Sequence, residues 1–382
     1  MKITDVATIR LRAAIPKEQQ VESRSGLRTL RSTTLVRIET DEGITGLGSC
    51  SGNGELVEVI IRRILRPLLL GADPTKIEEM WERAYVRGGH KEFGTRGIGI
   101  VALSGVDVAL WDILGKVHGI PIYGLLGGKC REKVPVYATA LYPEDSSVVA
   151  RKAAAFVEGG FHGVKIKVGF NLRQDIEIIR AVRREIGKNF PVMADANQGY
   201  TLKVAREAAE AFTGEGVLWL EEPLFVEDIA GHAVLREESK IPIAIGENLH
   251  THYAFDDFIR GQAVDIMQPD VARAGGISEI VKIAAMAAKH NLALSFHTWG
   301  DAIGLAASLH LAAALEVSTV MELDTTFNPL RESILHSPLL VHNGFMAPPD
   351  KPGLGVELDR HALDQFVFSG PEQTALRRDA LH

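Results

Sequence analysis

The sequence predicts an α/β chain, a (β/α)8-type TIM barrel preceded by an N-terminal α+β unit. Two observations carry this. From about residue 134, short apolar runs rich in β-branched residues alternate eight times with helix-like stretches: VPVYATAL, GVKIKV, PVMADA, VLWLEE, IPIAIGE, AVDIMQP, LALSFH and STVMEL. After the first, each run ends in a polar or charged residue, namely Lys167, Asp195, Glu221, Glu247, Asp270, His297 and Glu322. From Asp195 onward these recur at intervals of about 25 residues, the length of one βα unit. A doubly wound open sheet would place ligands at one switch point, not a polar side chain at the end of nearly every strand.

The first third has a different pattern. Residues 2–12 and 33–39 (TTLVRIE) read as strands, and DEG at 41–43 is a tight-turn signal. Helical patterns follow at 55–70, 76–87 and 97–117. In the last of these, Val101, Val108 and Trp111 share a face while Asp107 and Asp112 interrupt the apolar run. Strands followed by helices indicate an α+β unit. The glycines of GLLGGK (124–129) mark its end, giving an α+β domain over 1–128, a barrel over 129–325 and a C-terminal segment over 326–382.

Composition narrows the function. A chain of 382 residues exceeds one hydrophobic core. A net charge of −7 argues against a nucleic-acid partner. Two cysteines, Cys50 and Cys130, make no disulfide framework and suit a reducing cytosol. The start, MKITDVATIR, lacks the apolar core of a signal peptide, and Ala302–Val317, interrupted by His310, is too short to span a bilayer. A cytoplasmic enzyme acting on a small molecule, with no membrane partner, is expected.

In a barrel, strand-end side chains converge on one face. Asp195, Glu221 and Glu247 then sit on three consecutive strand ends, where they repel one another unless a cation bridges them; Mg²⁺ accepts a few carboxylates and leaves positions open for substrate oxygens. Helix capping explains any one of the three about as well, but not three at near-equal spacing. Lys165 and Lys167, at i and i+2 of one strand, point to the same side. Beside each other and a divalent cation, their neutral forms are favoured, as a general base requires. Asp270 and His297 end adjacent strands, and a carboxylate beside an imidazole fixes its tautomer and stabilises the protonated ring. The lysine strand and the histidine strand face each other across the barrel mouth, so two bases would approach a bound substrate from opposite faces. Glu322 is placed to hydrogen-bond a substrate carboxylate if protonated, with Asp324 as its rival.

The motifs KIK, ADAN, EEP, GEN, QPD, FHTWG and MELD, in this order, resemble the mandelate racemase subgroup of the enolase superfamily, and the resemblance covers nearly the whole chain. It implies that the α+β domain is a capping domain over the barrel, with the C-terminal segment 326–382 packing on it. It also implies metal ligands at Asp195, Glu221 and Glu247, a base at Lys167, Lys165 against the substrate carboxylate, a His297–Asp270 dyad and a carboxylate-binding acid at Glu322. The pairing of a Lys or His base with Mg²⁺ is the superfamily's known pattern. Substrate choice lies largely in capping loops. Here VESRSGLRTLRS (21–32) carries Arg24, Arg28 and Arg31, and Arg24 and Arg28, with Asn197 of ADAN, are the expected substrate-binding residues. The resemblance implies Mg²⁺-dependent α-proton abstraction, first as dehydration of an acid sugar, next as cycloisomerisation of an aldarate lactone or anhydro-sugar acid, then as racemisation. A homo-oligomer is expected. A metal-binding barrel without turnover is the non-enzyme alternative, disfavoured because every polar strand-end position is retained.

Overall fold

The structure is a computed structural model that describes residues 1–24, 26–86 and 89–371. Its N-terminal part is a three-stranded antiparallel sheet. β1 (Ile3–Ala14) is followed by a short hairpin of β2 (Val21–Ser23) and β3 (Gly26–Arg28), and then by β4 (Leu30–Thr40) and β5 (Thr45–Cys50). The sheet order is β1-β4-β5, with β1 and β4 paired from Ile3↔Thr40 to Ala14↔Leu30. The DEG turn joins β4 to β5, and Gly43 adopts a left-handed φ of +78° that glycine takes without steric cost.

The helical patterns appear as Gly54–Leu69, with a wider turn at Ile61–Leu65, and as Ile77–Tyr85 and Ile98–His118. The last is long and apolar enough to cross a bilayer by composition, but 83% of its most apolar window is buried inside the protein, so it is a core helix. It lies directly on β5. A Cβ at Gly46 or Gly48 would fall 2.1 Å from Ala109 O or 1.9 Å from Gly105 O, so only glycine permits this approach. The two aspartates that break the apolar run are satisfied tethers. Asp107 accepts from the Ser278 amide (3.0 Å) and hydroxyl (2.5 Å) on a barrel helix. Asp112 accepts from the amides of Leu47 (2.9 Å) and Leu354 (2.8 Å) and from Lys116 (2.7 Å). A buried carboxylate costs several kcal/mol unless it is so bonded.

The barrel strands are β6 (Val134–Leu141), β7 (Val164–Lys167), β8 (Val192–Asp195), β9 (Leu220–Glu221), β10 (Ile243–Ile245), β11 (Ile266–Met267), β12 (Ala293–Leu294) and β13 (Met321–Asp324). All neighbours pair in parallel, in the order β12-β11-β10-β9-β8-β7-β6-β13. The ring closes between β12 and β13. Leu294 and Ser318 form a parallel bridge, Thr319 N–H donates to Leu294 O (2.9 Å), and Glu322 N–H donates to Phe296 O (3.2 Å). The eight predicted runs are the eight barrel strands.

The C-terminal segment touches both parts. β14 (Phe345–Met346) pairs antiparallel with β6. Further on, Arg12 N–H donates to Phe366 O (2.8 Å) and Phe368 N–H to Arg10 O (2.9 Å) against β1.

Candidate active site

The polar ends of β7–β13 meet above the barrel under the β2–β3 hairpin. Asp195, Glu221 and Glu247 each offer a carboxylate oxygen, and these oxygens lie within 4.8 Å of one another. Glu247 Oε2 is buried without a hydrogen-bond partner. Burial first, and then the charge of Asp195, push Glu221 above the ordinary carboxylate range. Three hard oxygen donors crowded together, one of them taking no hydrogen bond, fit a divalent cation such as Mg²⁺.

The strand ends are shaped by backbone the sequence only hints at. Asn197 (φ 39°), Gln198 (φ 63°) and Glu222 (φ 38°) are left-handed, folding the chain sharply after β8 and β9. That turn lets the Asn197 amide donate to Asp195 Oδ1 (2.9 Å) while its side chain donates to Glu247 Oε1 (3.2 Å). Gln268 Nε2 donates to Glu221 Oε2 (2.7 Å). The ligand carboxylates are thus oriented by neighbouring amides.

Lys165 is fully buried, with Nζ 2.7 Å from Glu221 and 2.8 Å from Glu322. Lys167 pairs with Asp195 and donates to Asn197 Oδ1 (3.0 Å). The neutral form expected of both lysines presupposes a divalent cation beside them. Burial pushes each that way, but Glu221 and Glu322 outweigh it for Lys165, and Asp195 for Lys167, so both are held above their ordinary range. That carboxylate charge is what a bound divalent cation would take up, which would favour the neutral lysine.

His297 Nδ1 lies 2.7 Å from Asp270 Oδ2, and its Nε2 is 3.3 Å from Glu247. The Ala272 amide fixes Asp270 from behind (2.8 Å). Burial opposes protonation, but Glu247, Glu322 and Asp270 prevail and raise the imidazole to about 9. Glu322 accepts from Thr139 Oγ1 (2.7 Å) and the Thr298 amide (3.1 Å). Against burial, Lys165 and His297 hold it down at about 2. Its ion-pair contact is with Lys165, at 2.8 Å. Its rival Asp324 belongs elsewhere, 2.9 Å from Arg31 and 3.5 Å from Arg331.

A cavity of about 440 Å³ opens above these groups, and Lys167, Asn197, Glu247, Asp270 and His297 line it. Arg28 and Arg31 reach it from the hairpin and β4. Arg24 does not line it; its guanidinium sits 5.9 Å from the Phe170 ring on an exposed turn, which corrects its assignment. Alternation explains the difference, since residues at the turn of a hairpin and on its return strand do not face alike. The sequence reading missed Asn248, whose Nδ2 donates to both oxygens of buried Glu222 (2.9 Å each), and Arg273, which donates to Asn248 Oδ1 (3.0 Å). For Asn248 the signal lay in the motif letters EEP and GEN, where only the metal-facing glutamate was read; Arg273 lies outside both motifs.

Comparison with known proteins agrees with this geometry. Residues 8–127 match the family model described as mandelate racemase / muconate lactonizing enzyme, N-terminal domain, and residues 148–362 match the model described as enolase C-terminal domain-like. The chain is 38% identical to a D-galactarolactone cycloisomerase of Agrobacterium fabrum, over 97% of this chain and 100% of that one. It is also 38% identical to an arabinonate dehydratase of Saccharolobus solfataricus, over 86% of this chain and 89% of the relative. Among solved structures, a racemase from Streptomyces coelicolor A3(2) with bound magnesium superposes with a TM-score of 0.88 at 33% identity, covering 96% of this chain and 100% of that one.

Proposed function

This chain belongs to the mandelate racemase / muconate lactonizing enzyme family of the enolase superfamily, whose relatives include acid-sugar dehydratases and cycloisomerases, and from that premise we propose that it catalyses Mg²⁺-dependent β-elimination from an acid sugar, expelling water. The observation that carries this is one polar cavity lined by both Lys167 and His297, with the Asp195–Glu221–Glu247 triad beneath it.

When bound by the triad, Mg²⁺ supplies positive charge where negative charge develops on the substrate carboxylate as the α-proton leaves. Lys165, fixed between Glu221 and Glu322, adds a second cation on that side. Lys167, which lines the cavity, acts as base, its Nζ taking the α-proton in its neutral form, while Asp195, its ion-pair partner, is one of the residues that would hold the metal. His297, kept protonated and aimed by Asp270, serves as acid. The electrons of the Cα–H bond form the Cα–Cβ double bond, the Cβ–O bond breaks, and the departing hydroxyl takes the proton from Nε2 as water. The enol then ketonises to a 2-keto-3-deoxy acid. Positioned acids and bases each contribute about 10²–10⁴-fold.

A second reading is favoured by the end-to-end match to a D-galactarolactone cycloisomerase. There the oxygen leaving Cβ belongs to a ring, and the product is an opened isomer. NMR of products from a panel of aldonates, aldarates and their lactones separates the two: a product lighter by one water means dehydration, and an isomer means ring opening. Turnover of mandelate with no reaction of any acid sugar would overturn the proposal.

A further inference from the structure

The distal end of the cavity is built from unpaired donors. Arg28, on β3, lines the cavity; its Nε is buried without a hydrogen-bond partner, and no ion pair joins it among the described residues. Its neighbour Arg31 is neutralised by Asp324 at 2.9 Å and fixed by a bond to Phe327 O (2.9 Å). Trp299 lines the same wall, and its indole Nε1–H is also buried without a partner. A buried donor left unmade costs about 1–3 kcal/mol, so these two, one of them on a guanidinium without an ion pair, mark a place for an acceptor that arrives with the ligand.

The Trp299 ring ties this place to the reacting groups. Arg28 Cζ lies 5.6 Å and Lys167 Nζ 5.7 Å from its centroid, so the two cations are within about 11 Å of each other. That ceiling leaves room for a chain of up to about six carbons with a hydrogen bond at each end. A neutral hydroxymethyl end would meet one guanidinium bond at most, whereas a carboxylate accepts from Arg28 and Trp299 together and cancels the free charge.

We propose that the substrate is a dicarboxylic acid sugar or its lactone, with Arg28 and the Trp299 indole N–H binding the carboxylate remote from the reacting carbon. This rests on the elimination reading above and names its substrate class. The reacting carboxylate lies toward Lys165 and the triad, and the second faces the hairpin. Arg28 is then a specificity residue and not an acid or base.

The test separates the two claims. Calorimetry on the Mg²⁺-loaded protein compares adipate with 6-hydroxyhexanoate, which share a chain length, differ in the distal group and have no β-leaving group. Adipate is expected to bind about 10–100-fold more tightly to the wild type. Arg28→Met should shrink that gap to within about 3-fold while leaving 6-hydroxyhexanoate binding in place, which also shows that the cavity is still formed. Trp299→Phe should reduce the gap about 5-fold, since the ring stays and one donor goes. Equal binding of the two acids by the wild type, or a gap unchanged in both variants, overturns the proposal. A separate reading of α-deuterium exchange on sugar monoacids and diacids in D₂O bears on the elimination: exchange without diacid preference sinks only the substrate class, and no exchange with either sinks the elimination while the binding comparison still decides Arg28.

Discussion

Lys167 and His297 stand on β7 and β12, with β13 and β6 between them on one side and four strands on the other. That placement assigns them different tasks. Lys167→Ala should lower turnover by about 10²–10⁴-fold, and so should His297→Asn. In the dyad, Asp270→Asn should approach the His297 loss, since an amide no longer holds the tautomer that presents a proton at Nε2. Steady-state kinetics on one reactive acid sugar checks all three, and a wild-type rate in either single variant would mean that the residue only supports the fold. These residues were legible because a barrel forces each strand end onto a common face, so a period of about 25 residues sufficed. Arg24 was not, because the sequence of a short hairpin does not say which side chains face inward. The protonation of Lys165, Lys167 and Glu322 was not legible either, since it depends on which carboxylate approaches which ammonium within 3 Å.

Helix Ile98–His118 carries the clearest pH signature among the elements. Asp107 lies fully inside it and is raised to about 7, because burial outweighs its bonds to Ser278. In the unfolded chain it titrates near 3.8. Between those values the folded protein binds the extra proton, so stability falls as pH rises from 3.8 to 7 and levels off above, at about 1.4 kcal/mol for each unit crossed. Asp107→Asn cannot titrate. Denaturation midpoints of the two proteins across pH 4–8 should therefore diverge, with the wild type losing ground to the variant until pH 7. Parallel curves would show that Asp107 is ionised throughout. The helix itself was legible from its periodicity, and the aspartates that interrupt the run foreshadowed tethers. Their partners were hidden, because Ser278 and Leu354 lie far along the chain.

Across the whole molecule, capping sheet and barrel are joined by groups out of water. Arg31 of β4 meets Asp324 at the end of β13, and Ser49 Oγ donates to Asp301 Oδ2 (2.5 Å) below the cavity. The Arg31–Asp324 pair is nearly inaccessible on both sides, 6% and 1% exposed. Removing only the cation strands a buried carboxylate, so Arg31→Met should destabilise by about 3 kcal/mol, with Arg331 compensating in part. Adding Asp324→Leu should recover most of that loss, as chemical denaturation of the single and double variants would show. The joint between the two parts was illegible in the sequence: Arg31 read as one more loop cation, and Asp324 as an alternative to Glu322. Nothing short of the folded packing pairs them.

All of these scales depend on one chemical claim, that the strand-end groups remove a proton from the carbon beside a carboxylate with Mg²⁺ in the triad. The most direct measurement is ¹H NMR of an acid-sugar reaction run in D₂O, with and without exhaustive chelation. The account predicts a 2-keto-3-deoxy product carrying solvent deuterium at C3, no reaction after EDTA, and recovery on adding Mg²⁺. Product formed without solvent deuterium, or at an undiminished rate after chelation, would contradict it.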